Sequence, residues 1–261
     1  MAATLRNAAR ERLDRGELAL GIILRQSRTV DVAPIMKAAG YDWLFLDLEH
    51  NSMDLDTAVQ IAVAALGAGI APVARVPARQ LWMATRFLDG GGLGIVMPHV
   101  DTPEEAREIA QALRYPPQGH RSVAGGLPHF GYERLGLAET CSSIDAATLV
   151  VVMLETPRAI ENAAAIAAVP GIDSLLIGTN DLAMELGIPG AFADQRIVNA
   201  YRAAIDACRA HGKFAGIGGI ADRELLRHYI GMGVRLVLPG SDLSFMASAA
   251  AECAAAMRAF R

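Results

Sequence analysis

The sequence predicts a (β/α)8 barrel, and three observations support this fold class. Eight short runs rich in Val, Ile and Leu alternate with longer Ala-rich segments of helical character, which is the pattern of repeated βα units. The apolar runs are continuous rather than alternating, as expected for strands buried on both faces of a parallel sheet. The length of 261 residues is close to the about 250 residues of one such barrel. We therefore predict a single barrel domain over residues 1–261, with a doubly wound open sheet as the competing fold.

The predicted strands share short length, aliphatic composition and a position between helical segments. They are Leu18–Leu24, Trp43–Leu48, Pro72–Val76, Gly94–Pro98, Leu149–Leu154, Ser174–Ile177, Phe214–Ile217 and Val234–Leu238. Helix starts lie between them: Thr102-Pro103-Glu104-Glu105 combines a capping residue, a first-turn proline and two acids, and Thr156-Pro157 repeats the first two signals. The longest connection contains Gln118–Glu133, whose Pro, Gly and aromatic residues predict an ordered loop. We expect this loop at the mouth of the barrel.

The composition excludes several classes of protein. A net charge of -4 and 52% hydrophobic residues fit a globular enzyme and give no reason to expect a nucleic-acid partner. Three widely spaced cysteines argue against a disulfide framework and against a zinc site built from Cys alone. The charged N-terminus does not resemble a signal peptide, and the apolar stretch 61–74 is shorter than the about 20 residues that span a bilayer. We expect a cytoplasmic protein without a membrane anchor.

Polar residues gather at the predicted carboxyl ends of the strands, where barrels of this type carry their chemistry. Strand two ends in Asp47, Glu49 and His50, and strand three ends in Arg75. The amino ends of the predicted strands offer little that is comparable. The sequence therefore predicts one functional site at the carboxyl mouth.

Glu155 and Asp181 follow strands five and six and are separated by 26 residues, which is one βα unit. Their carboxylates would therefore converge from adjacent strand ends. Two such groups can hold a hard divalent cation and leave positions for water and substrate. General acid and base work by the pair, or simple capping of the next two helices, are the alternatives.

Arg75 and His50 have several interpretations each. Arg75 ends the apolar segment APVARV, where its guanidinium would meet an anionic or oxygen-rich ligand, or an internal salt-bridge partner such as Glu49 or Asp47. His50 could be a base, a metal ligand or a polar loop residue. A carboxylate would orient its ring, and Asp47 or Asp89 could supply one.

Three other residues bear on the choice of mechanism: His99 and the two lysines. His99 also lies at a strand end, but no neighbour in sequence assigns it a role. Lys37 and Lys213 are the only lysines; the first lies in a predicted helix and the second at the entry to strand seven. Because a Schiff base needs a lysine in the pocket, the sequence argues against that mechanism.

Taken in order, several segments resemble the HpcH/HpaI aldolases, which are metal-dependent pyruvate aldolases of the phosphoenolpyruvate/pyruvate barrel superfamily. The resemblance covers nearly the whole chain. The segments are DWLFLDLEHNSMD, VARVP, LDGGGLGIVMPHVDTPEEAREIAQALRYPPQGHRS, LETPRAIENAAAIAAVPGIDSLLIGTNDLAMELG and HGKFAGI. Each is weak alone, but the ordered set with matching spacing is specific.

The resemblance implies a metal site and a pyruvate site. Glu155 and Asp181 would bind a divalent cation, with Mn, Co or Mg expected and Zn as a further option. Pyruvate would chelate the ion, and backbone N–H groups around Asn180 and Asp181 would receive its carboxylate, in agreement with the physics of helix N-termini.

The same resemblance assigns the reacting groups. Arg75 would face the keto oxygen and stabilise the enolate. His50, oriented by Asp47 or Asp89, matches the family's base, working through a metal-bound water. The implied activity is that of a class II aldolase, which reversibly cleaves a 4-hydroxy-2-oxo acid to pyruvate and an aldehyde through a metal-stabilised enolate.

The sequence departs from the family pattern in two places. Met153 stands where many members carry Gln, and Gly178-Thr179-Asn180-Asp181 replaces a Gly-Pro-x-Asp turn. The first change removes a polar group beside the metal and bears on the choice of acceptor. The Ala-rich final helix, about Leu243–Phe260, is exchanged between protomers of an oligomer in family members, usually a hexamer. The alternative is a helix that closes its own barrel.

Two other functions stay open from the sequence. One is a lyase for CoA thioesters of malyl or citramalyl type, although no clear basic patch for the CoA phosphates is present. The other is a non-catalytic barrel that binds a metal or a carboxylate, for which Met153 is the main argument.

Overall fold

The computed structural model describes residues 5–260, and its eight strands form one closed parallel barrel in chain order. The strands are β1 (Ala19–Leu24), β2 (Trp43–Asp47), β3 (Ala71–Arg75), β4 (Gly94–Met97), β5 (Leu149–Leu154), β6 (Ser174–Gly178), β7 (Phe214–Gly218) and β8 (Leu236–Val237). Pairing of β1 with β8 closes the ring, with Ala19 opposite Leu236. The predicted fold class is confirmed, and every predicted strand agrees with the observed one to within two residues at each end.

The strands divide their side chains between two cores. Every residue of β2, β3, β4, β5 and β6 is buried. Trp43 and Phe45 belong to a cluster that fills the barrel interior, whereas the intervening Leu44 and Leu46 pack with the surrounding helices. This period of two explains why the sequence runs are continuously apolar, because both faces of each strand are covered.

The helices surround the barrel. They are α1 (Ala8–Asp14), α2 (Val32–Ala38), α3 (Leu55–Ala68), α4 (Leu81–Asp89), α5 (Pro103–Leu113), α6 (Leu137–Ala147), α7 (Pro157–Glu161), α8 (Ala163–Ala167), α9 (Thr179–Glu185), α10 (Gln195–Ala210), α11 (Arg223–Met232) and α12 (Asp242–Ala259). The predicted start of α5 is confirmed as a capping box between Thr102 and Glu105. Within residues 5–260, no helix combines the length and the apolar character needed to cross a membrane.

The long loop between β4 and β5 does not lie at the mouth, so that prediction is wrong. Helix α5 returns the chain to the amino end of the barrel before the loop begins. There Arg121 pairs with Asp89 at 2.7 Å, and His129 Nε2 lies 3.0 Å from the carbonyl oxygen of Gly92. Within one protomer the loop therefore covers the amino end and does not shape the cavity.

The amino end also carries more polar chemistry than the sequence indicated. Arg114 is 4% exposed, pairs with Asp173 and donates to three backbone carbonyls. The carbonyls belong to Asp145, Thr148 and Gly171. Asn7 is also buried, and its amide donates to the carbonyls of Leu93 and Ala147 at 2.9 and 2.7 Å. The expectation of little polar character at this end is therefore wrong, because strand starts leave carbonyls that buried side chains must bind.

Helix α12 stands apart from the other long helices because none of its residues is buried. Its apolar side chains Leu243, Phe245, Met246 and Met257 are 38%, 41%, 59% and 56% exposed. Only its start is tied to the barrel, where the Asp242 carboxylate accepts three backbone N–H groups of the segment 25–27.

Candidate active site

Three predicted site residues reach the mouth because they continue the inward alternation of their strands. Trp43 and Phe45 face the barrel interior, so Asp47 at the end of β2 does the same. The same alternation directs Arg75 at the end of β3 and Glu155 just after β5 toward the barrel axis. Charged groups from separate strands therefore converge on one small volume.

Asp47 and Arg75 form a buried bidentate ion pair. Arg75 Nε donates to Asp47 Oδ1 at 3.0 Å, and Nη2 donates to Oδ2 at 2.8 Å. Oδ1 also accepts the backbone N–H groups of Glu49 and His50 at 3.2 and 3.3 Å. Burial raises the pKa of Asp47, but the Arg75 guanidinium and the two N–H groups outweigh it, so the pKa lies below its usual value. Asp47 is thus ionised, and it fixes Arg75 in place.

The ring of His50 is not oriented as the sequence analysis expected. Asp47 binds the backbone of His50, not its ring. Asp89 is the last residue of α4, at the amino end of the barrel, where it pairs with Arg121. The carboxylate near the ring is Glu49, whose Oε2 lies 3.7 Å from His50 Nε2. The expected contact with Asp89 is absent within the protomer because α4 carries that residue to the opposite end.

Glu49, named from the sequence only as a possible salt-bridge partner of Arg75, and His99, which had no assigned role, are two further residues of the site. Glu49 Oε2 lies 3.2 Å from Arg75 Nε, and Oε1 lies 3.7 Å from His99 Nε2. His99 Nδ1 in turn lies 3.2 Å from Glu155 Oε2. The two residues therefore link the Arg75 side of the site to Glu155. The available signals were the position of His99 after β4 and the position of Glu49 two residues after Asp47.

Glu155 is the buried member of the predicted carboxylate pair. It is 2% exposed, and its Oε2 accepts the backbone N–H of His99 at 2.8 Å. His99 has a left-handed backbone, with φ of 54°, which is uncommon for a residue other than glycine. Burial raises the pKa of Glu155, and the carboxylate of Asp181 adds to that effect. A cation beside the pair would stabilise the ionised form of Glu155.

The surroundings of the pair fit a metal held by few protein ligands. Asp181 lies in the first turn of α9 and lines the cavity together with Asn180. A Cβ on Gly178 would approach Glu155 Oε1 to 2.6 Å, so glycine leaves room for that carboxylate. Residues 5–260 contain no cluster of three or more Asp, Glu, His or Cys suited to a metal. A cation bound by Glu155 and Asp181 would leave its remaining positions to water and substrate.

The cavity at the mouth has a volume of about 280 Å³. Its walls combine charged groups with apolar side chains, including Met153. The lining residues are Ile23, Arg25, Phe45, Asp47, His50, Arg75, Met153, Gly178, Thr179, Asn180, Asp181, Gly218, Gly219 and Leu238. Arg25 was not singled out in the sequence, because it follows β1 without any neighbouring motif.

Comparison with known proteins agrees with this geometry. The sequence profile of the HpcH/HpaI aldolase/citrate lyase family matches residues 25–249. A 4-hydroxy-4-methyl-2-oxoglutarate aldolase of Hapsidospora irregularis is 37% identical, over 96% of this chain and 94% of its own. One of the same description from Chaetomium globosum is 38% identical, over 93% and 91%.

A solved structure with a similar sequence has the same fold. A family protein from Burkholderia cenocepacia, described as an HpcH/HpaI aldolase/citrate lyase family protein, is 30% identical and superposes with a TM-score of 0.86. The alignment covers 97% of this chain and 100% of that one. Sequence profile, relatives and structure together confirm the predicted resemblance: this chain belongs to the HpcH/HpaI aldolase/citrate lyase family.

Proposed function

We propose that this protein is a class II aldolase that reversibly cleaves a 4-hydroxy-2-oxo acid to pyruvate and an aldehyde or related carbonyl compound. The observation that carries the proposal is the buried Glu155 carboxylate, which interacts electrostatically with Asp181 and lies beside Gly178 at the edge of a cavity lined by Asp181 and Arg75. The curated relatives named above are aldolases that act on a hydroxy-oxo acid. A carbon–carbon lyase accounts for both facts.

Glu155 and Asp181 would hold a divalent cation, with Mn²⁺, Co²⁺ or Mg²⁺ expected and Zn²⁺ as a further option. When bound, the cation supplies Lewis acidity that favours negative charge on the pyruvate keto oxygen. The backbone N–H groups of Asn180 and Asp181, at the start of α9, would receive the pyruvate carboxylate.

Arg75 and His50 would carry the reacting charges. In the cleavage direction the C4 hydroxyl loses its proton, the C3–C4 bond breaks, its electron pair stays on the pyruvate fragment, and C4 becomes a carbonyl carbon. Arg75, fixed by Asp47, stabilises the oxygen of the resulting enolate. His50 accepts the hydroxyl proton, and Glu49 at 3.7 Å stabilises the charged ring. A proton delivered to C3 completes pyruvate.

Asp47 and Asp89 take different parts in this proposal. Asp47 acts by position, because it binds Arg75 and the backbone of His50. Asp89 can reach a His50 ring only from a neighbouring protomer, since its own chain holds it at the amino end.

We also propose that the protein is a homo-oligomer in which α12 is exchanged between protomers, with a hexamer favoured. The support is an 18-residue helix with no buried residue, whose apolar side chains stay 38% to 59% exposed within residues 5–260 of one chain. Light scattering should give a mass near six times the 27.6 kDa of one chain. Met246→Glu should lower that mass, and a monomeric wild-type protein would contradict the proposal.

Deuterium uptake tests the aldolase proposal without the natural acceptor. Pyruvate in heavy water should exchange its methyl protons in the presence of the protein. Exchange should stop on addition of a chelator and return on addition of Mn²⁺, Co²⁺ or Mg²⁺. Exchange that ignores the chelator would contradict the metal site, and pyruvate binding without exchange would indicate a non-catalytic barrel.

A further inference from the structure

Arg25 is a second guanidinium in the cavity, and the fold leaves most of its hydrogen-bonding capacity unused. Its contact with a carboxylate is a single long one, with Nε 3.9 Å from Asp47 Oδ2. That carboxylate is already bound by Arg75 at 2.8 and 3.0 Å. One further donor, Nη2, binds the carbonyl of His50 at 3.2 Å. The Arg25 side chain is 42% exposed and lines the cavity, so its remaining donors are available to a ligand.

The backbone that carries Arg25 is held firmly. The Asp242 carboxylate accepts the N–H groups of Arg25, Gln26 and Ser27 at 2.9, 3.0 and 2.7 Å. Three bonds to one carboxylate fix the turn that follows β1. Arg25 is therefore presented to the cavity from an ordered loop, which is the condition for a residue that selects substrates.

The position of Arg25 assigns it to the acceptor half of the substrate. In the ring of eight strands, β1 lies opposite β5, which delivers Glu155. A new bond at the pyruvate methyl carbon must extend away from the carboxylate pair and across the cavity. The wall on that side contains the apolar Ile23 and Leu238, with Arg25 just beyond the end of β1. An acceptor with a short carbon chain and a terminal anion fits this wall, because the chain would contact Ile23 and Leu238 and the anion would reach Arg25.

We infer that Arg25 binds a carboxylate on the acceptor, which makes the substrates 4-hydroxy-2-oxo dicarboxylic acids and the acceptor a carbonyl compound that carries an acid group. The inference rests on the proposed aldolase function and adds the residue that selects among its substrates. Guanidinium is suited to this task, because its planar donors bind both oxygens of a carboxylate.

The test compares two substrates of equal skeleton length, 4-hydroxy-2-oxoglutarate and 4-hydroxy-2-oxopentanoate, in which a methyl group replaces the distal carboxylate. The wild-type protein should cleave the dicarboxylate with the higher kcat/KM. Arg25→Gln should lower the ratio of the two kcat/KM values by about 100-fold, the size expected for a charge-assisted pair. Arg25→Lys keeps the charge without the planar fork and should lower the ratio by about 10-fold.

Arg28→Gln is the matched control. Arg28 lies three residues further along the same loop, donates to the carbonyls of Arg25 and Ser27 and does not line the cavity. Its substitution should leave the ratio unchanged. Melting temperatures of all three variants show whether the fold is kept.

The outcomes separate the two proposals. A wild-type protein that neither exchanges pyruvate protons nor cleaves either substrate would overturn the aldolase proposal and this inference with it. Normal exchange, combined with equal losses of Arg25→Gln on both substrates or with a wild-type preference for the uncharged substrate, would overturn the inference alone. A shift of the ratio in Arg28→Gln as large as in Arg25→Gln would also overturn it.

Discussion

The two ends of this barrel both carry buried charge, but they use it differently. At the amino end, Arg114 has Asp173 and three carbonyls as partners, and Asn7 binds two more carbonyls. At the carboxyl end, Glu49 Oε2 is buried without a hydrogen bond in residues 5–260, and Arg25 has one long carboxylate contact. Glu155 is buried there as well, with a raised pKa.

This difference separates structural from functional polar groups. A buried polar group with every partner supplied by the chain contributes to stability, and its loss leaves those partners unsatisfied. A buried group with partners missing costs stability in the free protein and becomes satisfied when ligand binds. Completeness of the partners therefore distinguishes Arg114 and Asn7 from Arg25. It does not extend to the loop at the amino end, where Tyr115 Oη, Arg121 Nε and Nη1 and His129 Nδ1 are also buried without a hydrogen bond in residues 5–260.

The largest expected effect is at the carboxyl end. Glu155→Gln should reduce pyruvate proton exchange by a factor of about 1,000 or more, because it removes a metal ligand. The free energy of unfolding, measured in urea without metal, should stay constant or rise at pH 7. The sign follows from the raised pKa, since the fold disfavours the ionised carboxylate that the variant lacks. Glu161→Gln, an exposed acid at the end of α7, is the control and should change neither quantity.

The next effect is at the amino end and should show the opposite pattern. Arg114→Met should lower the free energy of unfolding by about 3 kcal/mol, because Asp173 and three carbonyls lose a buried partner. Exchange activity per folded molecule should be unchanged. Arg107→Met removes only an exposed pair with Glu104 and should cost less than about 0.5 kcal/mol. A large loss of activity in folded Arg114→Met would break the proposed division between the ends.

A smaller effect concerns the link between Glu155 and Glu49. His99→Asn keeps a residue that tolerates a left-handed backbone but removes the ring that lies near both carboxylates. The dissociation constant for Mn²⁺, measured by calorimetry, should rise about 10-fold. His120→Asn, at an exposed position, should leave it constant. Equal constants for wild-type protein and His99→Asn would mean that the ring does not support the metal site.

The smallest effect is a pH dependence at the amino end. Burial lowers the pKa of His129, and the charge of Arg121 acts in the same direction. The unfolded chain therefore binds a proton more readily, so the contribution of His129 to stability is complete above about pH 6.5 and is lost as the pH falls below that value and through the lower pKa of the folded state. His129→Gln should reduce the slope of unfolding free energy against pH between about 7 and 5.5. An unchanged slope would show that this ring does not titrate on unfolding.

The fold could be predicted from the sequence because it depends on local patterns. Continuous aliphatic runs indicate the strands, capping residues indicate the helix starts, and the chain length fits one barrel. All three predict the same fold. The strand positions of Asp47, Arg75 and Glu155 follow from the same patterns, since alternation along a strand decides which side chains face inward.

The partners of those residues could not be predicted in the same way. Which carboxylate lies near His50 depends on the side-chain directions of Glu49 and on the end of the barrel to which α4 carries Asp89. The long loop was misplaced for a related reason, because the sequence shows its composition but not that α5 has already returned the chain. Arg25 follows β1 without a neighbouring motif, and only the closed ring shows that β1 lies opposite β5, the strand that precedes Glu155.

The bonds of Asp242 have a consequence for how such a protein can be altered. Asp242 is the first residue of α12, and its carboxylate also binds the backbone of the loop that carries Arg25. A chimera that replaces the last helix, or a lineage that changes its assembly, would therefore alter substrate choice unless this residue is kept. Conversely, a change of acceptor is best sought by substituting Arg25 and keeping Asp242. The selectivity can then change without altering the start of α12 or the assembly of the protein.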